Sequence, residues 1–215
     1  MTRTWLLVLL AITLPVFAFL TLQIAADGPV TQFDRAVSSQ WEEHGRTAPA
    51  LVTFFRVLTF LGGAPFLAVL TAAVMILLNR RGEGWLALAL AGTVAGNFLL
   101  NWVAKELVRR PRPEFAVPLV EETSWSFPSG HSMSALVVYG MLAYVLAVGF
   151  SLGRWRPAVF GGLALLILGI GCSRVYLGAH WPSDVVAGFA GGTIWLACCI
   201  WATEQARWRF QTKTV

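Results

Sequence analysis

CSRVYLGAHWPSD, Cys172 to Asp184, interrupts two long apolar runs with a short polar segment carrying Arg174, His180 and Asp184. Arg is a permanent cation suited to an oxyanion. A His four residues before an Asp reaches that carboxylate across one helical turn, or across a turn entering a helix, which fixes one ring nitrogen and leaves the other free to attack. Pro182 disfavours a helical Trp181 and suits the first turn of the next helix, so His180 is expected on the connecting segment and Asp184 in that first turn. An interfacial loop whose Arg and His face water fits the same residues, and this stretch alone leaves both readings open.

The apolar runs flanking it are representative of the chain. Of 215 residues, 57% are hydrophobic and 13% charged, with a mean hydropathy of +0.67. Runs long enough to cross about 30 Å of hydrocarbon recur throughout. They predict an all-α, polytopic membrane protein with six transmembrane helices and short interfacial helices in a single domain, residues 1–215. The spans are expected near 5–25, 65–78, 85–104, 132–150, 158–172 and 185–203. The first run is longer than the apolar stretch of a signal peptide and has no clear cleavage site before Asp27, so it is read as a retained helix. Residues 27–49 turn polar, with Phe33, Val37 and Trp41 at helical spacing, and predict an amphipathic helix on the outer surface with His44 in solvent. Leu51–Phe60 is expected as a further interfacial helix, separated from the second span by Leu61-Gly62-Gly63-Ala64-Pro65.

Charge follows the same layout. With six spans, Arg3, Arg80, Arg81, Arg154, Arg156, Arg207, Arg209 and Lys213 fall on one side against only Glu83 and Glu204, whereas the other side carries eight cations and nine acids. The positive-inside rule then puts both termini in the cytoplasm and the 172–184 break outside, in a plasma or inner membrane. The basic balance reports topology rather than nucleic-acid binding. Cys172, Cys198 and Cys199 have no metal-ligand spacing and are read as small core residues.

Two further polar breaks fall on the outer side. Asn97, Asn101 and Lys105 follow one another at i+4 on one helix face. Lys105 is seven residues before Arg112, so both point the same way if the helix persists nearly to Pro111. Such a basic run outside contradicts the topology rule and suggests an anionic ligand, or a loop gripping lipid headgroups. In SWSFPSGHSM, residues 124–133, Ser129 can cap the following helix and Gly130 lets backbone approach a ligand. The first amides of that helix would then form a phosphate site with His131 beside it as a proton donor. Arg109 and Arg110 are expected to be headgroup or surface charges.

Lys105 with Arg112-Pro113, then Pro128-Ser129-Gly130-His131, then Ser173-Arg174 with His180 and Asp184, resembles the three-part signature of the type 2 phosphatidic acid phosphatase family. All key positions are filled in order. Within that family the chain is most similar to bacterial phosphatidylglycerophosphatases and undecaprenyl-pyrophosphate phosphatases. The resemblance implies a metal-independent phosphatase without cofactor that acts on a membrane lipid phosphate. His180 would attack phosphorus, Asp184 would orient it, and His131 would protonate the leaving oxygen and then activate water. Lys105, Arg112, Ser129, Gly130 and Arg174 would hold the phosphoryl oxygens. Three alternatives stay open at this level: a lipid monophosphate or a polyprenyl pyrophosphate as substrate, transfer to an acceptor other than water, and a phospholipid-binding transporter or scaffold. Oligomeric state is not legible.

Overall fold

The computed structural model describes residues 3–114, 119–120 and 122–211, without the side chains of residues 3, 44–47 and 209–211. The expected solvation of His44 and the charges of Arg3, Arg46, Glu121, Arg209 and Lys213 therefore lie outside the described residues. Among these residues the chain forms eight α-helices and no strand: α1 Arg3–Ala25, α2 Pro29–Thr47, α3 Pro49–Gly62, α4 Ala64–Arg80, α5 Gly84–Val108, α6 Gly130–Gly149, α7 Arg156–Tyr176 and α8 Pro182–Gln211, with a 3₁₀ turn at Gly153–Trp155 before α7. Five of these, α1, α5, α6, α7 with its preceding turn, and α8, are long and apolar enough to cross a bilayer. The pair α3 and α4 passes the same test jointly, bent by 46° at Gly63.

That bend has a local cause. Pro65 has no amide to return to the carbonyl of Leu61, so a hydrogen-bond acceptor is exposed inside the bundle. The Tyr139 hydroxyl donates to Leu61 O at 2.8 Å, and the break is thereby satisfied from α6. α3, expected as a separate interfacial helix, instead packs along α7 and continues into α4.

α6 is the central helix, packed against α5, α7 and α8. Its buried Ala135, Val138, Tyr139 and Met141 meet Leu67, Leu90, Val94 and Ile170 from α4, α5 and α7. In a bilayer such contacts stabilise by close packing more than by leaving water, so small residues at crossings matter. At Gly188 of α8, an added Cβ would lie 2.8 Å from the carbonyl oxygen of Ser129. α8 therefore passes directly against the start of α6, which brings two of the three polar breaks together.

α2 buries Thr31, Asp34 and Ser38, while Phe33 and Trp41 are exposed, an orientation that the sequence pattern left open. The face turned to the protein is the polar one, because it meets polar groups at the start of α8. Cys172 is exposed and Cys198 and Cys199 are half-buried, all three free. They are not core residues: the apolar runs that contain them also face outward, where a bilayer makes an exposed apolar position as favourable as a buried one.

Candidate active site

The C-terminal ends of α5 and α7 and the N-terminal ends of α6 and α8 meet at one end of the bundle. α7 ends in a Schellman motif. Gly178, at φ +71°, reverses the chain so that Ala179 N donates to Arg174 O and Gly178 N to Val175 O, both at 3.0 Å. His180 N adds a third bond to Arg174 O at 3.1 Å. The five-residue spacing between Arg174 and His180 is the length of this turn.

α8 then starts at Pro182 with Asp184 in its first turn, as the proline predicts. Trp181 N donates to Asp184 Oδ2, the acidic half of a capping box, and Asp184 N donates to the backbone carbonyl of Trp181, both at 3.0 Å. The cap fixes the carboxylate beside the ring, with His180 Nδ1 3.5 Å from Asp184 Oδ2 and 3.4 Å from Ser126 Oγ. The Ser126 hydroxyl also bonds Asp184 Oδ2. On the far side of the ring, Nε2 lies 3.2 Å from Arg112 Nη1. A guanidinium can only donate, so Nε2 accepts and the ring proton sits on Nδ1, toward Asp184.

His180 is almost fully buried. Burial, followed by the charges of Arg174, Arg112 and Lys105, holds its pKa well below the usual 6.5. The ring is therefore a neutral base at pH 7, and the residue borders a cavity of about 160 Å³. Asn101, Lys105, Arg112, Gly130, His131 and His180 border this cavity.

Lys105 and Arg112 both border the cavity, but not along one continuous helix as their seven-residue spacing assumed. α5 persists to Val108 and is closed by Arg109 in the left-handed region. Lys105 donates to Trp125 O. Arg112 is tied to Ala179 O at 2.5 Å and to Ser124 O at 2.7 Å. The polar stripe on α5 has two uses: Asn97 Nδ2 bonds Ser134 Oγ on α6 at 2.9 Å, whereas Asn101 reaches the cavity. Ser129 caps α6, its Oγ accepting from Ser132 Oγ–H at 2.9 Å and from Ser132 N at 3.4 Å. An added Cβ on Gly130 would lie 3.1 Å from Asn101 Oδ1, a tight contact at the cavity wall that a small shift of the Asn101 amide would relieve.

Arg174, Ser129 and Asp184 do not border the cavity. Arg174 is fully buried. Its Nη1 donates to Thr59 Oγ1 at 2.6 Å and its Nη2 pairs with Glu122, while Nε has no partner. Glu122 Oε2 is 3.7 Å from Arg112 Nη2, so this carboxylate sits between two of the cations. Among the described residues, no group of three or more His, Cys, Asp or Glu side chains is arranged to hold a metal.

The sequence reading missed four residues here. Glu122 and Ser126 lie in loops next to the motifs, and only their proximity marks them. Arg110, expected at the surface, is 7% exposed and pairs with Asp184 at 2.6 Å and Asp34 at 2.7 Å. Asp34 itself is fully buried. A lone Asp on a polar helix carries no pattern that distinguishes it from a solvated one.

With this geometry in place, the comparisons with known proteins agree. The family model of the PAP2 superfamily matches residues 84–208, which hold all three polar breaks. Phosphatidylglycerophosphatase B of Bacillus subtilis is 41% identical over 141 residues, covering 64% of this chain and 68% of the relative. Decaprenylphosphoryl-5-phosphoribose phosphatase of Mycobacterium tuberculosis is 35% identical over 137 residues, covering 54% and 71%. The crystal structure of the transmembrane PAP2-type phosphatidylglycerolphosphate phosphatase from Bacillus subtilis superposes with a TM-score of 0.81 at 32% identity, over 90% of this chain and 96% of that one.

Proposed function

This chain belongs to the PAP2 superfamily, and we propose that it is a multi-pass membrane phosphatase removing phosphate from a membrane lipid through a phosphohistidine at His180. The observation that carries this reading is the two-sided environment of that ring. Nδ1 is turned to Asp184 at 3.5 Å, and Nε2 meets Arg112, which borders the cavity, at 3.2 Å.

The chemistry follows from those contacts. A lipid phosphate entering the cavity draws Arg112 onto its oxygens and frees the Nε2 lone pair. Nε2 then forms a bond to phosphorus as the bond to the lipid oxygen breaks. His131, bordering the same cavity, gives a proton to that oxygen and later takes one from the water that cleaves the nitrogen–phosphorus bond. Asp184 balances the positive charge that the ring acquires. Lys105, Arg112 and the Gly130 amide meet the phosphoryl oxygens directly. Arg174 and the Ser129 hydroxyl act from behind the cavity wall, with the phosphate displacing Glu122 from between Arg112 and Arg174. Fixed cations and a helix N-terminus stabilise a transferring phosphoryl group by charge already in place.

The substrate is amphiphilic in this account. Phe98, which borders the cavity, is 40% exposed on the outer surface of α5, so a headgroup phosphate can enter while its tail stays in lipid. Phosphatidylglycerol phosphate is the first candidate, because the Bacillus subtilis relative and solved structure are named for it. A polyprenyl-linked phosphate is the second, after the Mycobacterium tuberculosis relative. Arg80, Arg81, Arg154 and Arg156 cluster at the opposite end of the bundle, which supports cytoplasmic termini and an outward-facing site. The whole chain then forms one catalytic domain.

The test is inorganic phosphate release by detergent-purified protein in EDTA, with phosphatidylglycerol phosphate, phosphatidic acid and undecaprenyl pyrophosphate as substrates. Release abolished by His180→Ala supports the reading and ranks the substrates. Release only on addition of a lipid or sugar acceptor would instead identify a phosphotransferase, and binding without conversion a carrier.

A further inference from the structure

Asp184 does not face His180 alone. Its Oδ1 accepts from Arg110 Nη1 at 2.6 Å, and the other amino group, Nη2, donates to Asp34 Oδ2 at 2.7 Å. Asp34, reaching in from α2, also accepts from the Ser183 amide at 3.0 Å and the Ser183 hydroxyl at 2.5 Å. The Arg110 carbonyl holds the amide of Ser126 at 2.9 Å, the residue whose hydroxyl bonds the other oxygen of Asp184. Trp181 lies against the guanidinium, 5.3 Å from ring centroid to Cζ. All three charged side chains are at most 7% exposed.

Stability gives no reason for such a cluster. Burying a carboxylate–guanidinium–carboxylate triad costs the desolvation of three charges, and well-packed apolar residues of similar volume often do as well or better. The arrangement makes sense as electrostatics for the ring. With Arg110 alone, Asp184 would be neutralised and would lose its pull on the Nδ1 proton. With Asp34 on the far side of the guanidinium, the trio keeps one net negative charge, which cancels the positive charge of a phosphorylated imidazole. Neither Asp34 nor Arg110 borders the phosphate cavity.

We infer that Asp34 and Arg110 are positioning residues for the His180–Asp184 pair, Arg110 fixing the carboxylate of Asp184 and Asp34 offsetting the guanidinium charge. The inference rests on the reading of His180 as the nucleophile. It also gives α2 a role, because its buried polar face carries the outermost member of the chain that ends at the ring.

The test uses Asp34→Asn, which retains an oxygen for the Ser183 amide but removes the charge, and the double variant Asp34→Asn/Arg110→Gln, which restores the trio's net charge. Three readouts are taken on full-length purified protein: kcat and KM for lipid phosphate release, the ¹⁵N signals of the His180 ring at neutral pH, and calorimetric binding of inorganic phosphate. The expected result for Asp34→Asn is a kcat about tenfold or more below wild type with KM within about twofold. Phosphate binding is expected to be unchanged, and the ring signals to move away from the Nδ1–H form. The double variant is expected to move those signals back and to recover part of the loss. Wild-type kcat in Asp34→Asn overturns the inference, as does a lost kcat with unmoved ring signals or a double variant worse than the single. If Asp34→Asn loses phosphate binding through misfolding, Asp34→Ser, which keeps a hydrogen-bond acceptor, supplies the same readouts. Ring signals that respond as expected in a protein releasing no phosphate from any lipid would sink the phosphatase reading and leave the positioning intact.

Discussion

The carbonyl oxygen of Arg174 accepts the backbone amide of His180 at 3.1 Å, so the residue expected to help hold phosphate and the residue expected to attack it are joined through main chain. The link depends on Gly178 at φ +71°. A side chain there costs about 1–2 kcal/mol in the left-handed region, and the turn would relax by moving His180. Gly178→Ala is expected to lower kcat about tenfold or more while leaving phosphate affinity within a few-fold, measured by steady-state kinetics and calorimetry.

The depressed pKa of His180 gives a pH signature. An ordinary imidazole would lose its nucleophilic form below about pH 6.5; this one is expected to keep kcat/KM level through that value, with the acid limb lower. The stability effect has a definite sign. The folded pKa is below the unfolded one, so the unfolded chain binds more protons as pH falls under about 6.5. The contribution is present above that pH and is lost as pH falls toward the folded pKa. Thermal unfolding at pH 7.5 and pH 5 should show wild type losing more stability than His180→Gln.

The bend between α3 and α4 is tested by Tyr139→Phe, which strands the Leu61 carbonyl bonded at 2.8 Å. An unsatisfied buried acceptor costs about 1–3 kcal/mol, although bilayer measurements of single hydrogen bonds run nearer to about 0.6. A fall in unfolding temperature with kcat within a few-fold of wild type is expected. A large loss of kcat with unchanged stability would show that the hydroxyl has another role.

The contact between α8 and the cap of α6 is tested by Gly188→Ala. The new methyl would meet Ser129 O at 2.8 Å, and overpacking of this kind costs about 1–3 kcal/mol. Because the displaced segment carries Gly130 and His131, activity should fall by more than the unfolded fraction explains.

Much of this organisation was legible in the sequence because membrane helices announce themselves by length and apolarity, and because helix ends carry their own chemistry. Pro182 placed Asp184 in a first turn, Ser129 served as a cap, and the i+4 stripe ended at Lys105, each by a local rule. What was not legible depended on contacts distant in sequence. Arg110 lies beside Arg109 and Arg112 and gives no sign that it alone turns inward to two carboxylates. Asp34 lies between exposed Phe33 and Arg35, and the amphipathic pattern does not say which face of α2 meets the protein, because the surface it meets is itself polar. Cys172 was read as core for a related reason: in a bilayer, an apolar position does not reveal whether protein or lipid faces it.

The most direct test of the account is a rapid-quench search for the phosphorylated enzyme in the wild-type protein, using lipid substrate labelled in its phosphate. The account predicts an acid-labile, alkali-stable label on His180 that forms at a rate compatible with turnover and is absent from His180→Ala. Turnover of labelled lipid with no label on His180, or wild-type release by His180→Ala, would contradict it.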